Sequence, residues 1–356
     1  MKKVYEIKTI SDNIYHYTHG YFVENKWLDN DTLIIKRSKE RSIACNDDKG
    51  EIMCELVKLS LKNNSMEIVC KDKIFDYYYL VYGNKIYYSD RKYIKSVDID
   101  TKEVEIFYEN DYYPNKMTIM SPSITNDGKY ICIYIAGDCA PVKCIVFERE
   151  TGKIVYSFIP RAFSKPFDRV SHVMICPENY KLVYFCHEGT TEYISNRMWL
   201  YDADSGEQWN FAKQRLDLDG NLGDCFGHEM WSPDGKGMYF VKYPASTLNP
   251  MGVCYADVKT QKVDVLYSGF KYWHIGASQS GKFLAGDTFE PDISDKSKSE
   301  VIFIDLEEKS ELLIDIAHKE NHPAHPHPII SPNCDKIVYN TLDENDRVVL
   351  KIAFLE

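Results

Sequence analysis

The chain has 356 residues, 44% of them hydrophobic, 13% aromatic and 27% charged, with a formal net charge of −11. That composition excludes disorder, collagen and coiled coil. Its acidic balance argues against general binding to nucleic acid or to a membrane surface, both of which lean on clustered Lys and Arg. The abundance of Tyr (27) and Phe (16) favours strands over helices. Length alone allows two domains, but large all-β assemblies often run as one.

The N-terminus carries Lys2 and Lys3 with no apolar stretch behind them, so it does not read as a signal peptide. No run approaches the roughly 20 apolar residues of a membrane span. The eleven cysteines, from Cys45 to Cys334, are odd in number and include no CxxC pair; they read as reduced thiols, mostly in the core, and the cytoplasm is the expected location. Residues 3–9 are expected to supply a strand to the last structural unit. The charge run at 36–41 (Lys36, Arg37, Lys39, Glu40, Arg41) reads as a solvated turn.

From residue 121 onward one pattern recurs, a turn followed by an apolar strand. It begins with Ser121-Pro122 leading to Asp127-Gly128-Lys129 and continues with Cys176-Pro177 leading to Lys181-Leu182-Val183. It returns at Ser232-Pro233-Asp234-Gly235, at Ser278-Gln279-Ser280-Gly281 and at Ser331-Pro332-Asn333-Cys334. The spacings are 55, 56, 46 and 53 residues. A second turn type keeps step with it at Asp100-Thr101-Lys102, Thr151-Gly152-Lys153, Ser205-Gly206-Glu207 and Thr260-Gln261-Lys262. A repeat of this size reads as a four-stranded antiparallel sheet that cannot bury both faces alone, so neighbouring copies must pack on it. The expected fold is therefore all-β, a single seven-bladed β-propeller over 1–356. Its blades are expected near 13–64, 65–103, 104–153, 154–206, 207–262, 263–310 and 311–356.

The histidines keep the same register. His172, His228, His274 and His327 each lie four residues before a repeat turn, so the same strand of four consecutive blades is marked and the imidazoles are expected to converge. The densest element is His322-Pro323-Ala324-His325-Pro326-His327-Pro328. On an extended strand His325 and His327 face one side, and the prolines stiffen the segment that presents them. This pattern points to a metal site. Imidazole donors fit Mn, Zn, Fe, Co or Ni, and neutral ligands leave a cationic centre suited to a carboxylate-bearing substrate. His228 is either a further ligand or a base; Arg197, His187 and Glu188 are open between structural and substrate-binding roles.

The phrases Gly227-His228-Glu229, Trp231-Ser232-Pro233-Asp234-Gly235, Phe185-Cys186-His187-Glu188-Gly189, Arg197-Met198-Trp199 and His325-Pro326-His327-Pro328 resemble the oligogalacturonate lyases of polysaccharide lyase family 22. The resemblance runs over about blades four to seven, with a general TolB-like pattern over the rest. It implies a seven-bladed propeller that cleaves short oligogalacturonides by β-elimination with a divalent metal, typically manganese. It also implies metal ligation by His274, His322, His325 and His327, His228 as the base, and Arg197 assisting at the substrate carboxylate. His172, His187 and Glu188 are expected to bind substrate. His322 departs from the family, which usually has Gln at that place. The competing reading is a non-catalytic TolB-like binding propeller, which predicts no stoichiometric metal. A prolyl-peptidase-like hydrolase is disfavoured, because no length remains for a hydrolase domain and no GxSxG elbow is present.

Overall fold

The computed structural model describes residues 2–21, 23, 25–41, 52–74, 78–289, 295 and 297–356, and Cys45 lies outside them. Among the described residues there is no helix. The described residues form thirty strands in seven antiparallel sheets. In chain order these occupy 16–73, 79–109, 118–158, 169–212, 226–268, 272–318 and 329–355, the last completed by Val4–Ile10 paired on Val348–Leu355. Each is a four-strand meander; in two of them the first strand is broken into two short pieces on the same neighbour, His16–Thr18 with Trp27–Asp29, and Thr118–Ile119 with Ser123–Ile124. The fold is a seven-bladed β-propeller.

By contacts the chain falls into two units, 1–109 with 275–356, and 110–274. In the first, one core cluster packs the sheets 16–73 and 79–109 through Leu56, Val81, Tyr79 and Tyr88, and another packs 272–318 on the last sheet through Phe303, Tyr339 and Ala353. In the second, Val146, Phe158, Val183, Phe185 and Trp199 join the sheets 118–158 and 169–212. Face-to-face packing of this kind removes the apolar face that each sheet would otherwise expose, at roughly 25 cal/mol per Å². The boundary between the units passes through the Tyr272–Ala277 strand, directly after His274.

The expected blade limits are displaced by one strand. The turns at Lys102, Gly152, Gly206 and Gln261 all have φ between 59° and 72° and close through an N–H to the carbonyl four residues back, on Asp98, Glu148, Asp202 and Asp257. They join the third and fourth strands of one sheet, so a limit drawn at the turn cuts off the outer strand, as at Ile154–Phe158. That outer strand is apolar in sequence yet mostly exposed, with Phe158 alone buried, so burial does not follow its composition. The repeat turn is also re-registered in its first copy. Thr125, whose carbonyl accepts from the Gly128 N–H at 2.9 Å, occupies the place held by Ser232, whose carbonyl accepts from Gly235 at 2.9 Å. Ser121 therefore stands four residues before the turn, where the later copies carry histidine.

The charge run at 36–41 is not a simple solvated turn. Lys36 and Arg37 lie in the Thr32–Ser38 strand, whose alternation buries Lys36 and sends Arg37 to Glu55 at 2.7 Å. Ten cysteines are described, all free; nine are buried and Cys139 is exposed.

Candidate active site

Three of the four in-register histidines adopt a backbone that sequence spacing does not reveal. His172, His228 and His327 have φ of 48°, 53° and 43°. In the Arg169–Cys176 and Phe226–Trp231 strands the pairing skips at these residues, between Ser171 and Met174 and between Gly227 and Met230. A left-handed residue in a bulge leaves the ladder and turns its side chain away from the sheet face, a conformation uncommon outside glycine and typical of functional positions. His274 stands on the Tyr272–Ala277 strand and is not among the residues with positive φ.

His274, His325 and His327 are buried, and each offers a ring nitrogen within 4.8 Å of the others. The His322 ring centre lies 3.9 Å from that of His325 and 5.0 Å from that of His327. The His-Pro-His segment is fixed from behind by Asn340, which donates from Nδ2 to the His325 carbonyl at 3.1 Å and from its backbone N–H to the Pro326 carbonyl at 3.0 Å. The His327 N–H donates to the buried carboxylate of Asp287 at 3.0 Å, and Tyr21 packs edge-on against the His327 ring. Burial pushes His325 down to about 3, with neighbouring His322 adding to the effect. It is thus neutral, the form in which imidazole ligates a metal. Nitrogens bound to one ion at ~2.0–2.1 Å can be at most about 4.2 Å apart, so the widest pair, at up to 4.8 Å, would close by about 0.6 Å. The donor set fits a divalent ion.

A second group lies within 110–274. The His228 ring centre is 3.9 Å from that of His274 and 6.2 Å from that of His172. Burial, then the neighbouring His274, His172 and Arg197, hold His228 well below the usual imidazole range. Arg197 is buried and turned toward two carboxylates: Nε and Nη2 toward Glu229, and Nη1 toward Glu188 at 3.2 Å. Glu229, wholly buried, also receives His172 Nδ1 at 3.3 Å. Burial alone would raise both carboxyls, but Arg197 and His172 more than offset it, bringing Glu229 down to about 2 and Glu188 lower still. Ser171 donates to Glu188 at 2.7 Å, and the Gln214 side chain accepts the Arg197 N–H at 2.8 Å.

His187 joins this cluster through its backbone N–H, which donates to the Arg197 carbonyl at 2.8 Å, while its ring is engaged elsewhere. Its Nε2 donates to the Phe167 carbonyl and its Nδ1 meets Asn196, both at 2.7 Å, while its ring stacks on Phe163. Three residues central to the geometry had no role assigned by sequence reasoning: Glu229, Asp287 and Asn340. Glu229 adjoins His228 in the motif Gly227-His228-Glu229. Asn340 and Asp287 give no local signal, since each reaches the site only through strand pairing.

The family profile described as oligogalacturonate lyase matches residues 123–355, beginning in the third sheet. The oligogalacturonate lyase of Dickeya dadantii and the oligogalacturonide lyase of Pectobacterium atrosepticum are each 24% identical over 199 residues, covering 52% of this chain and 49% of theirs. The chain thus spans about half the length of the curated relatives it matches. Among solved structures, an oligogalacturonate lyase in complex with manganese is 16% identical with a TM-score of 0.77, covering 100% of this chain and 98% of that one. An oligogalacturonate lyase from Vibrio parahaemolyticus is 17% identical with a TM-score of 0.75 and coverage of 99% and 98%. The β-propeller domain of the Trilobed protease from Pyrococcus furiosus aligns less closely, at 12% identity and a TM-score of 0.57 over 97% and 94%. These likenesses agree on the propeller fold, and with two thirds of the sequence matched by its profile the chain belongs to the oligogalacturonate lyase family.

Proposed function

We propose that the protein is a metal-dependent lyase that cleaves short 4-linked oligogalacturonides, or closely related uronides, by β-elimination in the cytoplasm, acting as a single propeller domain. The observation that carries this reading is the proximity of His274, His325 and His327, with His228 against His274, in a chain of this family.

Elimination removes the hydrogen on C5, a carbon acid that becomes accessible only when the neighbouring C6 carboxylate is neutralised. His274, His325 and His327, with His322 beside them, would hold a divalent cation, which when bound supplies Lewis acidity to that carboxylate; manganese is the first choice, and zinc, iron, cobalt or nickel suit the same donors. His228, kept neutral by its surroundings, is in the correct form to accept the C5 proton. Arg197 takes a different part from direct neutralisation of the substrate. Its guanidinium is already enclosed by Glu188 and Glu229, so it orders the wall behind His172 and His228. His187, engaged through both ring nitrogens, braces the loop at 196 and the segment at 167.

The test is to incubate the purified protein with manganese and di- or trigalacturonate while following the ultraviolet absorbance of the new C4–C5 double bond. Absorbance growth with stoichiometric bound metal is expected. Absence of both signal and metal would return the chain to a binding propeller.

A further inference from the structure

Within 110–274, the sheets 169–212 and 226–268 flank an open cavity of about 710 Å³, and none of its lining residues belongs to the cluster around His228 and Arg197. That volume falls in the range of ~300–1,000 Å³ usual for small-molecule sites. Strand pairing explains how charge reaches an otherwise apolar face. Phe226 stands opposite Lys242, and Phe240 stands opposite Cys254, which in turn pairs with Val265. Lys242 lies two residues beyond Phe240 and so shares the face of these apolar neighbours.

The Lys242 side chain is only 3% exposed, and its ammonium meets Asp224, equally covered, at 2.5 Å. One buried cation already balances this buried carboxylate. Asp224 nevertheless holds a second cation. Arg215 donates to it from Nε at 2.8 Å, from Nη2 at 3.0 Å and from its backbone N–H at 2.9 Å. Two cations on one anion leave a positive charge in this group. Lys213, exposed on the same connection, adds another, while the remaining acid of the lining, Asp264, is engaged by Lys262 at 2.7 Å. A local positive excess therefore faces the cavity in a chain whose net charge is −11.

The guanidinium that carries this excess is held in place. One edge of Arg215 is clamped on Asp224, yet the side chain is 62% exposed, and among the described residues its Nη1 makes no hydrogen bond. The outer Nη1–Nη2 edge presents two parallel N–H groups, the fork that a carboxylate accepts. In the same cavity half-buried Val263 and Val265 and exposed Pro250 supply an apolar wall.

We propose that this cavity is a second ligand site, one that takes a small organic carboxylate. The carboxylate lies on the outer edge of Arg215 with Lys213 beside it, and the carbon skeleton packs on Val263, Val265 and Pro250. A uronate meets both demands, because its pyranose ring presents C–H groups on its faces and bears a carboxylate. Binding there needs neither the histidine cluster nor elimination.

The experiment titrates galacturonate, galactose and inorganic phosphate into the manganese-loaded protein by calorimetry, for wild type, Arg215→Gln and Lys213→Glu. Asp224 keeps Lys242 in the first variant, and the second alters only an exposed side chain. Wild type is expected to bind one equivalent of galacturonate whose affinity falls about 10-fold or more in Arg215→Gln, the usual share of a hydrogen bond to a charged group, and falls also in Lys213→Glu. Galactose, lacking the carboxylate, and phosphate, lacking the apolar body, are expected to bind more weakly than galacturonate. Galacturonate isotherms that coincide in wild type and Arg215→Gln overturn the site, as does galactose or phosphate binding as tightly as galacturonate. Elimination of digalacturonate, followed alongside, is expected to be equal in all three proteins. Its loss in Arg215→Gln alone overturns a separate site; its absence from wild type overturns the lyase reading and leaves this site standing.

Discussion

Replacing Arg197 with Met keeps most of the side-chain volume and removes the cation that lies between buried Glu229 and partly exposed Glu188. Glu229 is fully buried, and it stays ionised because Arg197 and His172 offset the cost of burial. Its descent from 4.5 to about 2 corresponds to about 3 kcal/mol at roughly 1.4 kcal/mol per pH unit. Removal of one partner from a buried ion pair costs about 3–5 kcal/mol by general experience, and the net lowering of Glu229, to which His172 also contributes, is of that order. For 356 residues the unfolding entropy is ~0.75 kcal/mol/K, which places the fall in Tm at about 4–7 °C. The pH dependence is more diagnostic. In the wild type, a carboxyl lowered by folding contributes stability that is complete above about pH 4.5 and is lost as pH falls toward 2. In the variant, burial raises the same carboxyl, the folded state binds the extra proton, and stability grows as pH falls. The gap between the proteins should therefore be large at pH 8 and shrink toward pH 5 in urea unfolding followed by tryptophan fluorescence. A gap below about 1 kcal/mol, or one that does not change with pH, would show that Arg197 is not the counterion of this pair.

His228→Ala should abolish elimination while leaving bound metal at wild-type stoichiometry in elemental analysis; loss of the metal would make His228 a ligand instead. Asn340→Ala removes the side-chain anchor of the His325 carbonyl and should weaken metal binding by about 10–100-fold in a metal titration, with unchanged affinity refuting that role. Gly235→Ala forces a side chain into φ 65° with Cys176 Sγ only 2.9 Å from the new carbon, and chemical unfolding should show a loss of about 1–2 kcal/mol or more.

The number of blades and the convergence of histidines could be read from the chain because both depend on local repetition. Ser232-Pro233-Asp234-Gly235 announces its own turn through proline, aspartate and glycine chemistry, and His228 is found by counting back four residues. Blade limits were less legible. Strands such as Ile154–Phe158 lie at sheet edges, so their burial alternates weakly and nothing in them says to which neighbour they pair. The bulges at His172 and His228 were hidden for a related reason: a left-handed histidine has no compositional mark. The first copy of the turn misled because Ser121-Pro122 imitates Ser232-Pro233, while the true closing residue is Thr125. The enclosure of Arg197 by Glu188 and Glu229 depends on the segment before Met198 meeting two strands distant in sequence, which no spacing rule encodes.

The last sheet is drawn from both extremes of the sequence, with Val4–Ile10 seated on Val348–Leu355 and the latter on Lys336–Leu342, the strand that bears Asn340. During synthesis the segment at 4–10 must therefore wait, unpaired, for more than three hundred further residues. The support beneath His325 and His327 is completed only when that distant partner arrives. On the proposed function, metal capture would consequently come late, and a nascent chain that stalls before residue 348 lacks the strand that completes this sheet however well its earlier sheets have folded.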